Sequence, residues 1–73
     1  MKDENKQEIV NDLCECLKRT RAGSDISWLE YTKHDDGEET ITCWLTSGYV
    51  WFQVNVTGNS GIAIMQSVCE KVH

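Results

Sequence analysis

The chain has 73 residues, close to the lower limit at which a protein folds around a single hydrophobic core, so we expect one domain over residues 1–73. Apolar residues make up 40% of it and charged residues 26%, with no proline, which is typical of a folded rather than a disordered chain. Twelve acidic residues against seven basic ones give a net charge of -5. That balance argues against a protein that binds phosphate backbones, because such proteins use lysine and arginine.

Residues 1–8 are mostly charged, and no apolar run follows them that resembles a secretory signal or reaches the ~20 residues of a membrane span. The sequence therefore predicts a cytoplasmic protein. In that reducing compartment the four cysteines are not expected to form disulfides.

The first predicted element is a helix. It begins after Asn5, a residue type that caps helices, with Glu8 three positions later, and Gly23 is the expected terminator. Its apolar residues recur at helical spacing. The expected inward stripe comprises Ile9, Leu13, Cys16, Leu17 and Thr20, widened by Val10 and Cys14.

A strand near residues 26–33 follows, and alternation alone does not decide which of its faces is buried; Ile26 and Trp28 share one side. The next loop, residues 34–37, is typical of a three-residue hairpin connection with Gly37 in a left-handed conformation. A two-residue turn would instead bury the Glu30 carboxylate, which is costly. The preferred register places Leu29 and Tyr31 inside. Its pairs are His34 with Glu38, Trp28 with Trp44, Leu29 with Cys43, Glu30 with Thr42, and Tyr31 with Ile41.

Two strands that alternate strictly between apolar and polar positions flank Ser47 and Gly48, which predicts a hairpin with a two-residue turn. The expected pairs are Thr46 with Tyr49, Trp44 with Trp51, Leu45 with Val50, Cys43 with Phe52, and Ile41 with Val54.

A second helix is predicted after residues 58–61, capped by Ser60 or Asn59. Its expected inward stripe is Ile62, Met65, Val68, Cys69 and Val72, flanked by Ile64. Each helix has one apolar stripe and the sheet one aliphatic face. We therefore expect an α+β fold with two layers, α-β-β-β-α, in which both helices cover one face of a three-stranded antiparallel meander.

The candidate partner-binding residues are aromatic and are expected on the uncovered face of the sheet: Trp28, Trp44, Tyr49 and Trp51. Contiguous exposed aromatic residues are typical of an interface. Two alternatives stay open, namely that the indoles only stiffen the sheet or that Trp28 points inward.

The third strand is expected at the edge of the meander, and it has neither proline nor lysine to protect that edge. We predict a homodimer in which this strand pairs with its symmetry mate. The alternative is that the second helix or the C-terminus shields it.

No residue set indicates catalysis, a metal or a cofactor, so an enzyme is the least supported class. Cys14 and Cys16 point roughly 200° apart on a helix, while Cys43 and Cys69 lie on expected core faces. The acidic residues near the first hairpin lack the order of a calcium loop and are expected to keep its tip soluble. These residues are Asp35, Asp36, Glu38 and Glu39.

The predicted order of elements resembles the double-stranded-RNA-binding domain in topology and length. That family reads RNA through a basic cluster at the start of its last helix. Here residues 60–65 read Ser-Gly-Ile-Ala-Ile-Met, and no basic residue follows until Lys71. The resemblance implies the fold and not the RNA binding.

Residues 55–65, Asn-Val-Thr-Gly-Asn-Ser-Gly-Ile-Ala-Ile-Met, are similar to a strand-to-helix junction in small uncharacterised proteins of phages and mobile elements of Gram-positive bacteria. The resemblance implies a host context and no activity.

The sequence as a whole predicts a non-enzymatic protein-interaction module that self-associates through its aromatic sheet face or its third-strand edge. Two alternatives are single-stranded nucleic-acid binding by stacking on the tryptophans, and an acidic mimic of DNA that inhibits a host enzyme. No small-molecule substrate and no membrane contact are predicted.

Overall fold

The computed structural model describes residues 5–73. Its strands form one antiparallel sheet in the order β1-β2-β3, and both helices pack on the same side of it, which confirms the predicted α+β meander. No helix among the described residues is both long and apolar enough to cross a membrane. The elements are α1 (Lys6–Lys18), β1 (Ile26–Lys33), β2 (Glu39–Leu45), β3 (Val50–Asn55) and α2 (Gly61–Lys71).

One hydrophobic core lies between the helices and the sheet. It receives side chains from all three strands or their immediate extensions and from both helices, so no element can be removed without exposing the others. The buried members are Val10, Cys14, Leu17, Ile26, Leu29, Ile41, Cys43, Val56, Ile64 and Val68.

Both predicted helix caps are present. The Asn5 side chain accepts from the Glu8 N–H at 3.2 Å, and the Ser60 hydroxyl accepts from the Ala63 N–H at 3.3 Å. The predicted terminator of α1 was wrong, because that helix ends at Lys18, well before Gly23. Glycine is required there for space, since a Cβ atom would lie 2.3 Å from the carbonyl oxygen of Leu17.

The inward faces of the two helices were predicted correctly in part, because Val10, Cys14 and Leu17 in α1 and Ile64 and Val68 in α2 belong to the predicted sets. In α1 the buried residues are Val10, Cys14 and Leu17, whereas Cys16 and Thr20 are exposed. Apolar residues in α1 cover two adjacent stripes, and helical spacing alone does not distinguish them. Ile9 and Leu13, on the second stripe, are only partly buried.

Helix α2 shows the same difference. Gly61, Ile64 and Val68 are buried, while the predicted inward residues Ile62 and Met65 are 67% and 36% exposed. Cys69 is also exposed, and Val72 is partly buried against the core. Because Gly61 has no side chain, the first turn of α2 can approach the sheet closely on that face.

The first hairpin has the predicted register. The His34 N–H donates to the Glu38 carbonyl at 2.7 Å, the Gly37 N–H donates to the His34 carbonyl at 3.0 Å, and Gly37 has a φ of 91°. The expected pairs from Trp28–Trp44 to Tyr31–Ile41 are all present. A bulge between Ile26 and Trp28 places these two residues on opposite faces, and not on one side as alternation predicts.

The predicted turn of the second hairpin was wrong. The Leu45 N–H donates to the Tyr49 carbonyl at 2.8 Å and the Gly48 N–H to the Leu45 carbonyl at 2.9 Å, so three residues form the loop. Gly48 has a positive φ of 94°, close to the 91° of Gly37 in the other loop of this kind. The predicted partners of Thr46 and Leu45 shift accordingly.

The extra loop residue is absorbed by a bulge at Trp51. Trp44 therefore lies opposite Val50 and not opposite Trp51, and Val50 is 46% exposed where the sequence predicted it to be inside. Beyond the bulge, the predicted pairs Cys43–Phe52 and Ile41–Val54 are present.

A buried carboxylate ties the two helices' starting points to the sheet. Glu39, only 7% exposed, accepts from Lys6 Nζ at 2.6 Å and from the Tyr31 hydroxyl at 2.5 Å. Its other oxygen accepts from the Gly58 N–H at 3.1 Å, and its own N–H donates to the Thr57 hydroxyl at 2.9 Å. The prediction that Glu39 belongs to a solvated acidic tip was wrong.

These contacts change the ionisation of both acidic partners. The hydrogen bond from Lys6, followed by those from Tyr31 and Gly58, lowers the pKa of Glu39 from 4.5 to about 2. Burial, together with the hydrogen bond to the Glu39 carboxylate, raises the pKa of Tyr31 from 10.0 to about 12. At neutral pH the site therefore holds an ionised carboxylate and a neutral phenol.

The pKa of Glu39 predicts an acid-sensitive fold. Because it is lower in the folded chain than in the unfolded one, ionised Glu39 stabilises the fold above pH 4.5, and this contribution is lost as the pH falls toward about 2. We expect Glu39→Gln to lower the Tm at pH 7 and to flatten the decline in unfolding free energy between those two pH values. Denaturant titrations at several pH values, followed by circular dichroism, measure both effects.

The matched control is Glu38→Gln, which removes the neighbouring exposed carboxylate. It should keep the pH dependence of the wild type. An equal pH dependence for wild type and Glu39→Gln would contradict the assignment.

Candidate functional site

The side of the sheet that faces away from the helices, which we call the open face, consists of three rows of side chains. One row is largely aromatic and the other two are polar. The rows are Trp28–Trp44–Val50, Glu30–Thr42–Gln53 and Thr32–Thr40–Asn55.

Two of the four predicted partner-binding residues lie side by side in the aromatic row. Trp28 is 45% exposed and faces away from the helices, so the alternative in which it points inward is wrong. Its neighbour Trp44 is partly buried, and the indole Nε1 of Trp44 donates to the Glu30 carboxylate at 3.2 Å. This hydrogen bond fixes the orientation of the ring and leaves an apolar surface toward solvent.

The other two predicted residues lie outside this row. Tyr49 follows the turn between β2 and β3 and is 74% exposed. The bulge turns Trp51 toward the Phe52 side, where the two rings meet edge to face with centroids 5.6 Å apart. Trp51 also lines an open cleft of about 290 Å³ at the end of the core, together with Leu45 and His73.

In the polar part of the open face, side chains hydrogen-bond to one another. Gln53 Nε2 donates to the hydroxyl of Thr42 at 3.0 Å, and Thr42 is only 8% exposed. Glu30 is the one charged side chain in the three rows, and the rows contain no lysine or arginine. A phosphate backbone would meet no cation there.

The outer edge of β1 is covered by side chains of α1. The Gln7 amide accepts from the Tyr31 N–H at 2.9 Å and donates to the Leu29 carbonyl at 3.2 Å, as a neighbouring strand would. Two turns of the helix further on, Cys14 Sγ lies 4.0 Å from the carbonyl oxygen of Ser27. Helix α1 therefore occupies the Tyr31 N–H and the Leu29 carbonyl and lies beside the Ser27 carbonyl, backbone groups that this edge would otherwise present to another chain.

No side chain among the described residues covers the outer edge of β3 in this way. The Val56 N–H donates to the Glu39 carbonyl at 2.8 Å, so by alternation the backbone of Val54 also faces β2. The N–H and C=O groups of Gln53 and Asn55 then point away from the sheet. Within residues 5–73 these four groups have no hydrogen-bond partner, and both side chains are exposed.

A second apolar surface lies between the helices. An open cleft of about 310 Å³ is lined by Ile9, Leu13, Cys16 and Met65, with Asp12 at its margin. These are residues of the second stripe of α1 and of the exposed side of α2. The sequence patterns that predicted them as inward-facing detected this surface in addition to the core.

The cysteines fall into two classes. Cys14 and Cys43 are buried, and burial raises the pKa of the Cys43 thiol to about 11 and also raises that of Cys14, so both are protonated near neutral pH. Cys16 and Cys69 are exposed, which corrects the prediction that Cys69 faces the core. Among the described residues no group of three His, Cys, Asp or Glu side chains is placed to hold a metal ion.

Gln7 is the site residue that sequence reasoning missed. A signal was present, because Gln7 precedes Val10 and Cys14 at helical spacing and so lies on the buried side of α1. A polar residue on such a stripe needs a hydrogen-bond partner, and the uncovered strand edge supplies one.

We expect Gln7→Ala to reduce the free energy of unfolding by about 1–3 kcal/mol, because two hydrogen bonds to β1 are lost and its edge groups lose their partners. Urea denaturation measures the change. Asn11→Ala is the control, since it removes only the 2.8 Å hydrogen bond between Gln7 and Asn11 and leaves the contacts with β1 in place. Equal losses in the two variants would contradict the role assigned to Gln7.

Comparisons with protein-family models, with curated proteins and with solved structures each found no match to this chain. The two resemblances drawn from the sequence therefore stay predictions.

Proposed function

We propose that this protein is a non-enzymatic interaction module that self-associates through the edge of β3. The observation that carries the proposal is the difference between the two edges of the sheet. Gln7 and Cys14 contact outward backbone groups of β1, whereas the outward groups of Gln53 and Asn55 in β3 have no partner within residues 5–73. Unpaired backbone groups at a strand edge are a template for a further strand.

The composition of β3 suits a second copy of the same chain. Its residues, Val50–Asn55, include no charged side chain, whereas β1 carries Glu30 and Lys33. A net charge of -5 per chain makes two copies repel each other in general. An uncharged contact strand keeps that repulsion away from the interface, because the acidic tip of the first hairpin lies at β1 and β2.

The aromatic row gives such an assembly a recognition surface. Trp28 and Trp44 are adjacent on the open face, and Tyr49 is 74% exposed after the turn between β2 and β3. Tryptophan and tyrosine are enriched at protein interfaces because they bury much apolar area and keep a polar group for hydrogen bonding. Trp51 lies apart from this surface, so we assign it no contact with a partner on the open face.

Stacking of single-stranded nucleic acid on Trp28 and Trp44 is the competing proposal. The open face argues against it, because its one charged side chain is the carboxylate of Glu30. Bases could stack, but the accompanying phosphates would be repelled.

Substitution of Gln53 by lysine tests whether the protein self-associates through the edge of β3. We expect wild-type protein to approach the mass of a dimer in light scattering as its concentration rises. Gln53→Lys should raise the dimer dissociation constant at least about tenfold, since it brings a charge to the strand edge, the device by which natural sheets prevent pairing.

Thr32→Lys is the matched control, because it adds the same charge to the same face but on β1. It should dimerise at least as well as wild type, since it lowers the net negative charge. The proposal is contradicted by a wild-type monomer at every concentration, or by equal weakening in both lysine variants.

A further inference from the structure

We infer that the partner of β3 is β3 of a second copy of this chain, paired antiparallel in a single register with the two-fold axis at Val54. The inference rests on the proposed function, since it specifies how the β3 edge is used. It follows from the small number of backbone groups that the edge offers.

The part of β3 that can pair with another strand is limited at both ends. At one end the bulge interrupts the alternation, because Trp51 is an extra residue between Phe52, which pairs with Cys43, and Val50, which pairs with Trp44. At the other end the Thr57 N–H donates to the Asn55 side chain at 3.0 Å, and Gly58, with a φ of 74°, turns the chain away. Two regular residues remain with outward backbone groups, Gln53 and Asn55.

These two residues allow three antiparallel two-fold registers. If Gln53 lies opposite Asn55 of the other copy, both residues of both chains form hydrogen-bonded pairs, which gives four hydrogen bonds between the strands. If Gln53 lies opposite itself, Asn55 meets the bulge at Trp51 and two bonds remain. If Asn55 lies opposite itself, Gln53 meets Thr57, beyond the end of the strand, and again two bonds remain.

The side chains favour the same register. Gln53 uses its Nε2 group to donate to Thr42, which leaves its Oε1 atom as an acceptor. Asn55 uses its Oδ1 atom to accept from Thr57, which leaves its Nδ2 group as a donor. Both side chains lie on the open face, so in this register each Asn55 donor faces a Gln53 acceptor across the interface.

On the helix side of the sheet the axis passes between two copies of Val54. This residue packs against the core but is only partly buried. Directly opposite residues of a non-hydrogen-bonded pair have Cα atoms about 4.5 Å apart, so the two valines would cover each other. Pairing in this register therefore buries apolar surface and brings no charged residues together.

Cysteine cross-linking tests the register. In a Cys16→Ser, Cys69→Ser background, which removes the exposed thiols, Val54→Cys should form an intermolecular disulfide on oxidation with diamide. Its yield should exceed that of Gln53→Cys by at least about tenfold, because the two Gln53 Cα atoms would be beyond the ~7 Å limit for a disulfide.

A mixture of two variants gives an independent test that leaves Val54 intact. Gln53→Cys and Asn55→Cys proteins should cross-link efficiently with each other when mixed, and poorly when each is oxidised alone. Light scattering of the reduced proteins shows whether each variant still dimerises.

The outcomes separate the two proposals. Efficient cross-linking of Gln53→Cys alone, or of Asn55→Cys alone, in a protein that dimerises would overturn the register and leave β3 self-association intact. A dimer in which none of these positions cross-links would place the contact elsewhere and overturn both proposals.

Discussion

Backbone N–H and C=O groups at the edge of a sheet need partners, and this requirement organises the structure around β1. The amide of Gln7 has the same donor and acceptor as a peptide group, and it bonds to Tyr31 and Leu29 as a fourth strand would. That contact sets the position of α1 along the sheet. Val10, Cys14 and Leu17 then face the core, and the second apolar stripe of α1 faces the cleft beside α2.

At one end of the sheet, the Glu39 carboxylate connects the segments that precede the sheet and follow it in the chain. It contacts Lys6 at the start of α1, Tyr31 in β1 and the Gly58 backbone just before α2. In a domain this small, such a cluster stabilises segments that a limited apolar core leaves weakly held. Every hydrogen-bonding atom of the cluster that is buried has a partner among the described residues, so its burial carries no unpaired polar group.

Local rules of turn chemistry and alternation were sufficient to predict the fold. Gly37 and the cost of burying Glu30 identified the first register correctly. The second turn was mispredicted because Ser47–Gly48 also suits a two-residue loop. The bulge at Trp51, which compensates for the added loop residue, leaves the rest of the predicted register unchanged. The faces of α1 and α2 and the role of Glu39 depend on tertiary partners, which spacing along a helix or membership of an acidic run does not specify. The position of Trp44 and Trp28 on the open face follows from the register of the first hairpin, which turn chemistry identified. The position of Trp51 depends on the bulge, which neither turn chemistry nor alternation predicts.

The cover that α1 places over β1 limits how far strand addition can extend. A sheet with two free edges can add copies without end, as fibrils do. Here α1 contacts the backbone of the β1 edge, so the proposed pairing of two β3 strands would use the one uncovered edge of each copy and close the assembly at six strands. The proposed assembly would then contain two chains, because Gln7 and Cys14 already contact the strand edge that a filament would need for further growth.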